Sequence, residues 1–241
     1  MAEFVLVHGA WHGAWCWDEL IPELEARGHR ARAIDLPGMG RDETPVEGVT
    51  LEACAARVAD AVRAASGKVW LVGHSMGGAS ISQAAEEVPD RLEGLVFLTA
   101  GLPLDGKSFF EAIGGDPDNQ VAQNMLHDPA TNSGSVPPEH LKGAFYNLCS
   151  DAQVARARTL LRQWQPLAAA STPIRITPAN YGRVPRYYIE CLQDQALTIG
   201  VQRRMHQAAG VKAVATLDSD HSPFFSMPAS LANALDGFVA M

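Results

Sequence analysis

The sequence has few cysteines, and their spacing excludes the usual cysteine chemistries. None of the four cysteines in the 241 residues forms a C-x-x-C pair, so we expect neither a metal site nor a redox motif. Four cysteines are also too few for a disulfide scaffold in a chain of this length. We therefore predict reduced, mostly buried thiols and a cytoplasmic protein. The cysteines are Cys16, Cys54, Cys149 and Cys191.

The sequence also lacks long apolar runs and clusters of basic residues. No apolar stretch reaches the roughly 18 residues that a membrane-spanning helix needs. Residues 1–8 have no basic region and run directly into a predicted strand, which is not typical of a signal peptide. The net charge is −8, and no run of Lys or Arg offers a surface for phosphates. We expect a small-molecule substrate, and neither a membrane nor nucleic acid as a partner.

What the sequence contains is a regular alternation of apolar strands with helical patterns. Its composition, 47% hydrophobic and 19% charged, is that of an ordinary globular protein. Strand–helix–strand repetition predicts an α/β fold, a mostly parallel sheet with helices on both faces. The length fits a single domain over residues 1–241. The six predicted strands span residues 4–7, 30–35, 69–72, 94–98, 186–191 and 212–217.

The alternation stops over residues 102–182. This segment carries clusters of Gly, Pro, Asn and Asp between short helical patterns, which cover residues 138–148 and 152–163. We interpret it as a helical cap inserted into the domain. Functional groups of such sheets gather at the carboxyl ends of the strands, so the cap is expected to cover that edge.

The most informative motif is G-x-S-x-G, present as Gly73-His74-Ser75-Met76-Gly77. It lies between a predicted strand and a predicted helix, where the turn projects the serine hydroxyl above the sheet. A free serine hydroxyl is a poor nucleophile. The motif therefore predicts an activating histidine, a carboxylate that orients it, and backbone donors for an oxyanion. Taken alone, the motif also fits a glycine-rich strand-to-helix turn without catalytic function.

The predicted general base is His221, which lies between the last predicted strand and the last helix. Among the other histidines, His74 is expected to point into the fold, and the rest to be surface or capping residues. The predicted acid is Asp194, which follows the strand 186–191 and completes the order Ser…Asp…His. Asp220 is the rival acid because it neighbours the histidine, and Asp105 is a weaker rival after the fourth strand.

An oxyanion hole requires two backbone N–H groups. We assign one to Met76, the residue after the nucleophile, and the other to Ala10 in the loop after the first strand. His12 in that loop either lines the site or holds the loop by hydrogen bonds. Apolar residues of the cap and main domain are candidates for the substrate pocket, although each also suits packing of the cap onto the sheet. The candidates are Trp11, Phe109, Leu126, Phe145, Leu148, Trp164 and Phe224.

Several blocks of the sequence carry a resemblance to a known superfamily. They are FVLVHGAWHGAW at residues 4–15, GHSMGG at 73–78, FYNLCS at 145–150 and YIECLQD at 188–194, followed by Asp220-His221. On these blocks the chain resembles the α/β-hydrolase superfamily, and within it the branch of plant methylesterases, hydroxynitrile lyases and related bacterial esterases. Bacterial pyrethroid-hydrolase-like esterases share the first block. The similarity spans nearly the whole chain and is weakest over residues 101–143.

The resemblance implies an α/β-hydrolase fold and a serine carboxylesterase with a catalytic triad and no cofactor. The apolar cap residues favour small to medium, largely apolar esters. Lyases of this branch carry a threonine in the first loop and a lysine after the catalytic histidine, where this chain has Gly9 and Ser222. The alternatives are therefore a lyase that departs from the lyase pattern, a non-catalytic receptor for small ligands, and an acyl transferase or perhydrolase. A monomer and a homodimer both remain open.

Overall fold

The computed structural model describes all residues from 1 to 241. Its centre is a six-stranded sheet in the order β2-β1-β3-β4-β8-β9, and every neighbouring pair is parallel. The prediction of an α/β fold with a mostly parallel six-stranded sheet is confirmed. The strands of this sheet are β1 (Glu3–Val7), β2 (Arg30–Ile34), β3 (Val69–His74), β4 (Leu92–Leu98), β8 (Arg186–Cys191) and β9 (Ala213–Leu217).

Helices cover both faces of the sheet, as the apolar strands require. Successive strand residues point to opposite faces, so Val5 and Val7 join one hydrophobic core while Phe4 and Leu6 join the other. On the first face α2 packs against α3, and on the second α1 packs against α11. The helices of the main domain are α1 (Leu20–Ala26), α2 (Leu51–Arg63), α3 (Gly77–Glu87), α9 (Ile199–Ala209), α10 (Pro223–Ser226) and α11 (Pro228–Val239).

Local signals explain where these elements begin and end. Thr50 begins α2, and its hydroxyl accepts a hydrogen bond from the Ala53 amide at 3.1 Å. The first helix is shorter than the pattern over residues 17–27 indicates, because Ala14–Trp17 form a separate 3₁₀ turn before it. Gly28 follows α1 with a φ of 81°, a backbone conformation that favours glycine after a helix.

The cap segment, residues 102–182, leaves the sheet after β4 and returns at β8. Its status as an inserted unit stays a prediction, and it is not purely helical. A small antiparallel sheet lies within it, in the order β5-β6-β7. These strands have only two or three residues each, too few to show an alternating pattern in the sequence. The elements of the cap segment are α4 (Phe109–Ile113), α5 (Gln120–Asn124), β5 (Leu126–Asp128), β6 (Ser133–Ser135), α6 (Pro138–Phe145), α7 (Asp151–Leu160), β7 (Gln165–Pro166) and α8 (Ala168–Ser171).

All four cysteines are buried and unpaired. Burial raises the pKa of each thiol above its usual value, so the thiols stay protonated and weakly nucleophilic. None of the helices has both the length and the apolar character needed to cross a lipid bilayer. Cytoplasmic localisation stays a prediction.

Candidate active site

Ser75 lies at the carboxyl end of β3, in the turn that leads into α3. Its φ of 53° is in the left-handed region, which is uncommon outside glycine and marks a strained turn. The glycine two residues on is required by close packing, since a Cβ at Gly77 would lie 2.6 Å from the His8 carbonyl oxygen. The turn leaves Ser75 half-buried and facing a cavity beneath the cap segment. This is the geometry that the G-x-S-x-G motif predicts.

His221 and Asp194 form a buried pair at the same edge of the sheet. The Nδ1 atom of His221 lies 2.6 Å from Oδ2 of Asp194, and both side chains are almost fully inaccessible. The other oxygen of Asp194 accepts backbone N–H groups from Ala196 at 2.7 Å and Leu197 at 2.8 Å. The Thr99 hydroxyl donates to Oδ2 as well. With four donors the carboxylate is held in one orientation, and it has no basic partner other than the imidazole.

The two rival acids lie elsewhere. Asp220 is fully buried, but its oxygens accept from the Leu148 amide at 2.9 Å, the Ser222 amide at 3.1 Å and the Ser226 hydroxyl at 2.9 Å. Asp105 accepts from the Ile176 amide at 3.0 Å, near the end of the cap segment. Neither makes a hydrogen bond to His221, so among the three acids only Asp194 can orient the imidazole.

Two free N–H groups flank Ser75. Those of Ala10 and Met76 donate to no other protein group, and both residues line the cavity beside the serine. Ala10 belongs to the β1 loop, residues 8–13, which passes close over Ser75. A Cβ at Gly9 would lie only 2.6 Å from Cβ of Ser75, so glycine is needed for this approach. The two amides are therefore available to a negatively charged oxygen bound next to the serine.

The carbonyl groups of the β1 loop are turned away from the serine onto two buried imidazoles. His8 donates from Nδ1 to the Gly9 carbonyl at 2.7 Å, and His12 donates from Nδ1 to the Ala10 carbonyl at 2.7 Å. In a trans peptide the C=O and N–H point in opposite directions. The bond from His8 to Gly9 therefore directs the N–H of Ala10 away from His8.

The cavity over Ser75 has a volume of about 300 Å³ and is lined by 20 residues, 14 of them hydrophobic. This is at the small end of the range for small-molecule sites. Asp116 is the only acidic or basic side chain in the lining, and one of its oxygens is occupied by the Thr198 hydroxyl at 2.8 Å. The cavity therefore suits an uncharged, largely apolar molecule of small or medium size.

Comparison with known proteins assigns the family. The sequence matches the alpha/beta hydrolase family over residues 4–234. The chain belongs to this family. Among similar sequences are the putative methylesterase 11, chloroplastic, of Arabidopsis thaliana, with 36% identity over 95% of this chain, and the pyrethroid hydrolase of Sphingobium wenxiniae, with 34% identity over 99% of this chain and 88% of that protein. The chain spans 61% of the length of methylesterase 11.

Solved structures give the same relationship. A pyrethroid hydrolase crystallised with BIF superposes with a TM-score of 0.89 at 32% identity, covering 100% of this chain and 98% of that one. Polyneuridine aldehyde esterase superposes with a TM-score of 0.86 at 26% identity, covering 99% of both chains. The neighbours of this α/β hydrolase thus include proteins named as esterases and hydrolases.

In this α/β hydrolase, three of the seven residues expected in the pocket line the cavity: Trp11, Phe109 and Phe145. Four do not. Leu126, Leu148 and Trp164 are 55%, 49% and 41% exposed on the outside of the cap segment. Their apolar character suggested burial, but isolated apolar residues are common at protein surfaces.

The fourth exception, Phe224, is fully buried. Its ring packs between Trp17 and His74, with centroids 5.2 and 5.0 Å away. It is a core residue of the main domain. Sequence reasoning instead missed lining residues such as Ile113, Leu167, Leu197 and the polar Gln165. The position of Ile113 four residues after Phe109, on the same side of α4, is the one signal that could have indicated it.

The histidines form a buried group around His221. His74 points away from Ser75, and its Nε2 donates to the His221 carbonyl at 2.8 Å. His12 does not line the cavity; its Nε2 accepts from the Tyr146 hydroxyl at 2.7 Å while Nδ1 holds the β1 loop. Burial lowers the pKa of His8, lowers that of His74 well below its usual range, and lowers that of His12 to about 3. These three imidazoles are therefore neutral near pH 7, and none adds charge beside His221.

Two other histidines differ from the sequence-based expectation of a surface or capping role. His29 is buried, with Nδ1 accepting from the Ala2 amide at 3.2 Å and Nε2 lying 2.9 Å from Asp236. His206 is buried 3.2 Å from Glu190. Their partners are at least 16 residues away along the chain, so no local pattern reveals the burial.

The buried neutral histidines predict a loss of stability in mild acid. Between pH 6.5 and about 3, unfolding lets His12 bind a proton that the folded protein does not hold. The free energy of unfolding should therefore fall as the pH falls, by about 1.4 kcal/mol per pH unit for this group once the pH is below 6.5. His8 and His74 act in the same direction. Urea unfolding at pH 7.5, 6.5 and 5.5 measures the effect, and His12→Gln should flatten the slope. An unchanged free energy of unfolding from pH 7.5 to 5.5 would contradict the prediction.

Proposed function

We propose that this protein is a serine carboxylesterase that hydrolyses small to medium, largely apolar esters. The observation that carries the proposal is the buried pair of His221 and Asp194 at the sheet edge where Ser75 faces an apolar cavity. The names of its relatives, methylesterase and pyrethroid hydrolase, agree with ester hydrolysis. The chemistry needs only the side chains and amides of the chain.

The proposed reaction has two halves. Ser75 attacks the ester carbonyl while His221 takes the hydroxyl proton through Nε2, and Asp194 stabilises the imidazolium that forms. The carbonyl oxygen becomes an oxyanion, which accepts from the N–H groups of Ala10 and Met76; each such donor is worth about 3 kcal/mol in the transition state. His221 then gives the proton to the leaving alcohol. Water attacks the acyl-enzyme by the same route and releases the acid.

The lining of the cavity supports an uncharged substrate. A carboxylate on the substrate would lose its hydration among hydrophobic side chains, and the lining has no basic residue to replace that hydration. The one titratable group there, Asp116, is an acid. We therefore expect neutral acyl groups to be preferred over anionic ones of the same length.

The lyase alternative finds less support. A threonine at position 9 would place its Cβ 2.6 Å from that of Ser75 unless the β1 loop moved. Ser222, where the lyases carry a lysine, has a fully buried hydroxyl with no hydrogen-bond partner. No cation is therefore available after His221 to stabilise a departing cyanide.

Burst kinetics on p-nitrophenyl esters test the proposal. With acyl chains from acetyl to dodecanoyl, we expect one equivalent of nitrophenol per enzyme followed by slower turnover, and the best kcat/KM for short or medium chains. The matched pair of pentanoate and hemisuccinate should differ by on the order of tenfold or more in kcat/KM, because the second buries an unpaired charge. Tight binding of esters without turnover would favour a receptor, and efficient transfer to added alcohols or peroxide an acyl transferase.

A further inference from the structure

The β1 loop, which carries the proposed oxyanion donor Ala10, is held by residues far away in the cap segment. The backbone N–H of Trp11 donates to Oε1 of Gln165 at 2.9 Å, and its indole N–H donates to the Gly134 carbonyl at 2.9 Å. Its carbonyl accepts from the Arg162 amide at 2.9 Å. All three polar groups of Trp11 thus bind the cap segment, and none binds the main domain.

Trp11 needs such support because its φ is 61°. A non-glycine residue in the left-handed region is held there only when its surroundings determine the conformation. A change at Trp11 reaches Ala10 directly, since the two residues share one peptide group. The carbonyl of that group binds His12 and its N–H binds Gln165, so the plane is held from both sides.

Gln165 is built into this position. It lies in β7, next to Gly134 in the small sheet, and its side chain is completely buried. Its Nε2 donates to the Pro166 carbonyl at 2.9 Å, which determines that Oε1, and not the amino group, faces Trp11. It also lines the cavity.

We propose that Gln165 is a positioning residue for the oxyanion hole: its carboxamide holds the Ala10–Trp11 peptide so that the Ala10 N–H faces the reacting oxygen. The proposal rests on the serine esterase function proposed above. It makes the hole a joint product of two parts of the chain, with Met76 held by the main domain and Ala10 held through the cap segment. A weakened contact with the cap segment should then impair transition-state stabilisation more than substrate binding.

The test is Gln165→Met, which keeps the length and unbranched shape of the side chain but removes the acceptor. Loss of one oxyanion donor lowers kcat by about 10²- to 10³-fold in other serine hydrolases, and we expect a loss at the lower end, about 10²-fold, because the donor is misplaced and not deleted. The affinity for a trifluoromethyl ketone, which forms a tetrahedral oxyanion with Ser75, should fall by the same factor. The KM for neutral esters should change little.

Two further variants isolate the cause. Gln165→Glu keeps an oxygen at the same place, and burial among carbonyl groups favours the protonated acid, which donates to Pro166 as the carboxamide does; it should recover most of kcat. Gln153→Met makes the same chemical change in another cap carboxamide, which joins α7 to Glu19 and to the Phe225 carbonyl without touching the β1 loop. It should lower the melting temperature and leave kcat unchanged.

The outcomes separate the two proposals. A folded Gln165→Met variant with wild-type kcat and ketone affinity overturns the positioning role, as does an equal loss of affinity for the ketone and for a non-reacting ester analogue. If Gln165→Met does not fold, Gln165→Asn retains a polar buried side chain whose oxygen falls short of Trp11. It should then show the same loss of ketone affinity, and unchanged affinity overturns the proposal. Absence of a burst in the wild-type protein would instead overturn the esterase function itself.

Discussion

Ser75→Ala is expected to lower kcat for p-nitrophenyl esters by about 10⁶-fold, the size of effect seen when the nucleophile of a serine–histidine pair is removed. The reason is that without the hydroxyl no acyl-enzyme can form, and the burst of nitrophenol should disappear. The free amides of Ala10 and Met76 remain, so the variant should still hydrolyse esters faster than water does.

The fold of the Ser75→Ala variant should stay intact. The Ser75 side chain makes no hydrogen bond to another protein group in the structure, so its removal leaves no buried partner unsatisfied. The melting temperature and the circular dichroism spectrum measure this. The double variant Ser75→Ala with His221→Ala is the kinetic control, and it should be no slower than the single variant because the two groups act as a unit. Retained wild-type turnover in Ser75→Ala would rule out the proposed mechanism.

Asp194→Asn is expected to lower kcat by about 10⁴-fold. Asp194 accepts four hydrogen bonds, from His221, Thr99 and the amides of Ala196 and Leu197. An asparagine has one oxygen, and the two backbone donors retain it. Its amino group then faces Nδ1 of His221, which must become an acceptor and leave its proton on Nε2. That tautomer cannot take the proton of Ser75.

The loss from Asp194→Asn should appear in kcat at every pH above the acid limb, with little change in KM. Asp220→Asn is the matched control, because Asp220 is equally buried and equally well provided with donors but does not contact His221. That variant should lose stability through its bonds to Leu148 and Ser226, and far less activity. A larger loss of kcat in Asp220→Asn than in Asp194→Asn would reverse the assignment of the acid.

The sequence by itself determined the architecture and the edge of the sheet where the candidate site lies. The strand 186–191 and the helix 228–239 have in the structure the bounds that the apolar patterns indicate. These signals are local, because periodicity, caps and turn residues act within a few positions. The contact of His221 with Asp194 follows from the same reasoning, since parallel strands bring their carboxyl ends to one edge.

Only the tertiary structure decided how the cap segment meets that edge. It separates Phe145, which lines the cavity, from the equally apolar Leu148, which is half-exposed three residues later. It also buries Gln165 completely and joins it to Trp11, 154 positions away. Burial and hydrogen bonding at these positions depend on contacts between residues remote in the sequence, and strands of two or three residues leave no periodic trace. The walls of the pocket and the support of the β1 loop were therefore not determined by the sequence pattern alone.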